Sequence, residues 1–148
     1  MSRLNRRQAL AGIAALGLTT TIPAAASAEG DDAKATYTRY IEEVINGGNL
    51  AAIDELVTED YAPQGGPDEL PGREALKQRM ATQMAERASM MDVTLLTDAV
   101  IVEGDTLAAR HRWSGMMGGE DRDLLSLAIV TMRDNRIAAM WFLVDSPY

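Results

Sequence analysis

Few residue types in this chain can do chemistry. Cysteine is absent and His111 is the one histidine. A thiol nucleophile, a disulfide, a thiolate metal site and a multi-histidine metal site within one chain are thereby excluded, and no metal is expected. Asp145 is the carboxylate with the most suggestive spacing. It shares two-residue parity with Ile137, Ala139, Trp141 and Leu143, so a strand over these positions would turn it toward apolar neighbours. A carboxylate in such surroundings is costly to ionise, which raises its pKa toward that of a useful general base. The plain alternative is a solvated carboxylate near the end of the sequence.

His111 alternates with Ala109 and Trp113 on one strand face. Contact with a ligand or proton transfer competes there with the commoner state, a half-buried imidazole bonded to backbone. Trp113, Trp141 and Tyr40 are candidate ligand contacts, the tryptophans as pocket wall and Tyr40 through its hydroxyl; packing alone also accounts for them. Methionines such as Met80, Met84, Met116, Met117 and Met140 suit either a pliable cavity or adaptable core. Water-activated hydrolysis of an epoxide or ester would need a second inward carboxylate or arginine, and the periodicity places none. Glu120-Asp121-Arg122-Asp123 reads as a solvated charge run rather than a calcium site.

These residues need elements to position them. Tyr37, Tyr40, Ile41, Val44 and Ile45 repeat as one helical face from Asp31 to Asn46, closed by Gly47-Gly48. Asn49 is placed to cap a shorter helix that buries Ile53, Leu56 and Val57. Three prolines and three glycines make Tyr61 to Gly72 a loop. A third helix spans about 73–88. Beyond Met91 the period becomes two, predicting four strands: 92–102, one containing 107–114, then 124–133 and 136–145, with a glycine-rich hairpin loop from Gly115 to Asp123. The expected architecture is α+β: a cone-shaped domain whose curved antiparallel sheet wraps around three N-terminal helices and one apolar pocket.

The 148 residues hold one such domain behind an export segment. Residues 1–28 have the layout of a signal peptide. Arg3, Arg6 and Arg7 form a basic head, an apolar run from Ala9 to Ile22 follows, and Ala26-Ser27-Ala28 offers a cleavage site. Asn5-Arg6-Arg7-Gln8-Ala9-Leu10 is similar to a twin-arginine signal. The domain itself is expected over 29–148, in the periplasm or secreted. All 22 acidic residues fall after position 28, against 11 of the 14 basic ones, so the exported part carries a charge of −11. Such a surface repels nucleic acid and anionic lipid, so neither is an expected partner, nor is a membrane after cleavage.

Several segments resemble the SnoaL-like cyclases of the nuclear transport factor 2 fold superfamily. Tyr40 to Leu50 is similar to the family's opening helix and junction, Leu56 to Tyr61 to its second-helix ending, and Pro71-Gly72-Arg73-Glu74-Ala75-Leu76 to the start of its third helix. Val102-Glu103-Gly104-Asp105 looks like its hairpin turn, and Ile137 to Asp145 like its closing Ile-x-x-x-Trp-x-x-x-Asp strand. The resemblance implies a small apolar, carbonyl-containing ligand and, in enzymatic form, a cofactor-independent ester cyclase or isomerase with Asp145 as general acid/base. It also implies a homodimer, with the outward Arg110 and Arg112 facing the second copy. Two departures favour a non-catalytic binding or dimerisation module on the same fold. Ile129-Val130-Thr131-Met132 and Gly115-Met116-Met117-Gly118-Gly119 stand where family cyclases often carry histidine.

Overall fold

The computed structural model describes residues 24–64 and 69–145. The expected export segment therefore lies outside the described residues up to position 23, and its last residues form the start of α1 (Ala24–Arg39). A π-helical stretch, Tyr40–Asn46, continues α1 directly. The wider turn shows in the Gly47 N–H, which donates to the Glu42 carbonyl at 2.9 Å, five residues back. Gly48 leaves the helix at φ +70, a conformation that glycine adopts without steric cost. The predicted face holds: Tyr37, Tyr40, Ile41 and Val44 are buried.

A single 3-10 turn, Leu50–Ala52, leads into the short α2 (Ile53–Leu56), which buries Ile53 and Leu56. Asn49 stands at the cap position, but its side chain makes no capping bond. Val57 belongs to a strand instead of the helix. This β1 (Val57–Pro63) is where the sequence predicted a helix ending and a loop. It pairs parallel with the last strand and slips register between Val57 and Ala62, so its sequence carries no two-residue alternation. α3 (Arg73–Met90) follows.

The meander comprises β2 (Met91–Glu103), β3 (Thr106–Met117), β4 (Glu120–Arg133) and β5 (Arg136–Val144). Sheet order is β1-β5-β4-β3-β2, antiparallel except at β1–β5. The sheet thus has five strands, one more than expected. The predicted loop from Gly115 to Asp123 shrinks to a turn at Gly118-Gly119, because β3 and β4 stay paired out to Met117 and Glu120. At Gly115 the strands press so closely that a Cβ would collide with the Asp92 carbonyl oxygen. The β4–β5 turn, Asp134-Asn135, has φ values of 50 and 57, as a tight two-residue hairpin requires.

Two bulges matter for the site. One interrupts β2 between Thr97 and Ala99; the other interrupts β5 between Ile137 and Ala139. The concave face of the sheet carries Leu107, Ala109, Ala128, Val130, Met132 and Ile137, which pack on the buried side chains of the helices. The Asn46 amide fixes the helical end to this sheet. It donates to the Leu95 carbonyl at 3.0 Å and accepts from the Leu95 N–H at 2.9 Å.

Candidate functional site

Between α3, the π-helical stretch and the concave face of the sheet lies a cavity of ≈ 410 Å³. Tyr40, Ile41 and Ile45 reach it from the π-helical stretch, and Leu76 and Met80 from α3. The sheet contributes Val93, Leu95, Trp113, Met117, Leu124, Met140, Phe142 and Val144. Polar groups gather along one side: Tyr61, Glu69, Arg79, Gln83 and Arg87. Arg79, Gln83 and Arg87 share a face because they recur every four residues on α3. This is the usual make-up of a small-molecule site, an apolar chamber with a few convergent polar groups.

The polar side is electrically uneven. Glu69 meets Arg79 at 3.0 Å, so those charges offset each other. The Arg87 guanidinium carbon lies 4.2 Å from the Trp113 ring centroid, a cation–π contact. Burial alone pulls the Arg87 pKa below its ordinary value. The Tyr40 hydroxyl is pushed well up by burial and next by the neighbouring Tyr61; Tyr61 is raised by burial against the opposing pull of Arg79. Both phenols therefore remain hydrogen-bond donors at neutral pH.

Tyr40 and Trp113, two of the predicted contacts, line this cavity. The Trp113 indole N–H is engaged, donating to Ser126 Oγ at 3.1 Å, so Trp113 offers a ligand its ring alone. His111 has the predicted inward parity but is fully buried beneath the cavity floor. Its Nε2 lies 2.8 Å from the Tyr37 hydroxyl and its Nδ1 3.1 Å from Thr97 Oγ1. The bonded partners are thus side chains rather than backbone. Burial holds its pKa below the usual imidazole value, with Asp98 pulling weakly the other way. Its ring stacks toward Phe142 at 6.0 Å, and Phe142 meets Trp113 edge-on at 6.3 Å, so His111 touches the chamber only through an intervening ring.

Trp141 and Asp145 are not cavity residues, and the parity argument fails for a definite reason. The β5 bulge inserts one extra residue after Ile137. Beyond it Met140, Phe142 and Val144 face inward and line the cavity, whereas Trp141 pairs with Ile129 and Leu143 with Leu127, both on the convex face. Asp145 follows the end of β5, exposed, its N–H donating to the Leu125 carbonyl at 2.9 Å. The residues that sequence reasoning missed are Arg79 and Arg87. Their signal was the i, i+4, i+8 repeat with Gln83, which looks like an ordinary solvated helix face until α3 is known to roof a cavity.

The SnoaL-like domain family matches the chain over residues 37–140. No match is found among curated proteins. Solved structures of similar shape include a candidate polyketide cyclase from Bacillus cereus, 21% identical with a TM-score of 0.65, the match covering 77% of this chain and 74% of that one. A candidate polyketide cyclase from Acidithiobacillus ferrooxidans is 20% identical, with a TM-score of 0.66 and coverage of 77% and 88%. A candidate ketosteroid isomerase from Kribbella flavida is 15% identical, with a TM-score of 0.63 and coverage of 81% and 82%. The order of helices and meander agrees with these comparisons, and the chain belongs to the SnoaL-like domain family.

Proposed function

We propose that this domain binds a small, largely apolar, carbonyl-containing molecule in the cavity under α3. The supporting observation is the pairing of an apolar chamber with phenol donors from Tyr40 and Tyr61 on one side. An apolar body would gain from leaving water, and a carbonyl oxygen would accept from a phenol. Binding is favoured over acid/base catalysis because Glu69, the one carboxylate lining the cavity among the described residues, is already held by Arg79. Thermal shift against polyketide-like and steroid-like ketones tests this. Stabilisation is expected in the native chain and equally in Asp145→Asn, while Met80→Trp, which fills the chamber, removes it. Ketones that stabilise Met80→Trp as much as the native chain would refute binding in this cavity.

A catalytic form, cyclisation or isomerisation of the same ligand, draws on the chemistry named for the structural neighbours. It would have Asp145 act from its place one residue beyond Val144, which lines the cavity. Turnover of a ketone substrate that Asp145→Asn abolishes would establish it.

A second copy of the chain is the proposed partner, seated on the convex sheet face. Leu125, Leu127, Ile129 and Leu143 stand there 45–53% exposed, apolar side chains on one face that a second copy would cover. Arg110 and Arg112 flank this surface, and both pair with Asp98 of the same chain, at 3.7 and 3.2 Å. The contact is therefore mainly apolar, with the arginines at its side.

Export through residues 1–28 is likewise a proposal. It is supported by the basic head and apolar run of the sequence, and intact mass of the protein recovered from the cell envelope checks it.

A further inference from the structure

We infer that the ligand is a monoanion, an apolar carboxylic acid whose carboxylate is received by Arg87 while its body fills the chamber toward Met80 and Phe142. This rests on the cavity being a ligand site, as proposed above, and narrows what it takes.

The reason is an unmatched charge. Among the described residues, three charged side chains line the cavity: Glu69, Arg79 and Arg87. Glu69 and Arg79 form a pair at 3.0 Å, and no carboxylate among the described residues pairs with Arg87. Among these described groups one positive charge is left over, in a chain whose formal net charge is −8. Solvated basic residues on such a surface ordinarily meet acidic neighbours; this one is drawn inward instead, its guanidinium against the Trp113 ring at 4.2 Å. A cation–π contact occupies one side of the guanidinium without using its N–H donors, and paired N–H donors fit a carboxylate. A neutral ketone would close over Arg87 and strip its remaining water while supplying no charge in exchange, which is costly. A carboxylate supplies that charge and accepts two hydrogen bonds. Trp113 offers no competing donor, because its N–H is held by Ser126.

Isothermal calorimetry at pH 7 with two matched pairs of probes tests this: 2-naphthoate and decanoate, each against its methyl ester. The native chain should bind each acid at least about tenfold more tightly than the ester. Arg87→Gln should erase that gap by weakening the acids and leaving the esters unchanged, and Arg87→Lys should restore part of it. Because ester binding persists in the variants, it also reports that they are folded. Equal affinity for acid and ester in the native chain, or an acid preference that survives Arg87→Gln, overturns the inference while leaving the cavity a site for neutral carbonyl compounds. If none of the four probes binds, both readings fall.

Discussion

At the scale of single residues, His111 and Asp145 end in surroundings that their spacing did not disclose. Each was legible as a residue capable of chemistry; what was illegible was its environment. His111 was expected inward and is inward, but its two nitrogens are taken up by Tyr37 and Thr97, so it serves the core. Its buried neutral ring makes a pH prediction with a definite sign. The folded state holds the imidazole pKa below that of the unfolded chain, about 6.5, so the unfolded chain binds more protons below that pH. The stabilising contribution is complete above about pH 6.5 and is lost as pH falls toward and through the folded value. Melting temperature should fall between pH 7.5 and 5.5 in the native chain and fall much less in His111→Gln, although that variant melts lower throughout. Parallel slopes for the two proteins would remove the argument. The aspartates with resolved shifts do not confuse this window, since Lys77 holds Asp54 and Arg133 holds Asp60 below the ordinary carboxylate range.

At the scale of elements, the long periodic segments were readable and the irregular ones were not. The helical face from Tyr37 to Val44 and the alternation from Leu107 to Trp113 follow directly from apolar spacing. β1 escaped because Val57 to Pro63 answers to its parallel partner, with a register slip, and shows no alternation of its own. The β5 bulge escaped because Ala138, Ala139 and Met140 are all small or apolar, so nothing in their types marks where the face changes. Once that one residue is misjudged, every side chain after it is assigned to the wrong face, Trp141 and Asp145 included. A contact between elements also makes a prediction. Asn46 joins the π-helical stretch to β2 through two hydrogen bonds on Leu95. Asn46→Asp keeps the acceptor and sets a carboxylate against the Leu95 carbonyl, so urea unfolding should show a loss of about 1–3 kcal/mol. A change within experimental scatter would mean that packing alone holds the two elements together.

At the scale of the whole molecule, the sheet presents two different surfaces. Its concave side closes a chamber; its convex side leaves a row of leucines and isoleucine in water. Fold class was the part most legible in the sequence, because it depends on composition and order, whereas the apolar convex face emerges only once the bulge has set the parity of β5. If that face receives a second copy, light scattering at tens of micromolar should report twice the mass of the chain. Leu127→Asp, at the middle of the face, should halve that mass without lowering ligand affinity; a native chain that scatters as a monomer would count decisively against the partner. The same two-sidedness divides the tryptophans. Trp113 stands within the chamber under Arg87, and Trp141 stands outside beside Ile129, separated by the thickness of one sheet. The protein thus carries two built-in optical probes, one in the chamber, where a bound molecule would change its emission, and one on the outer face, where association would. Replacing either indole with phenylalanine would leave a single-colour sensor for the other event.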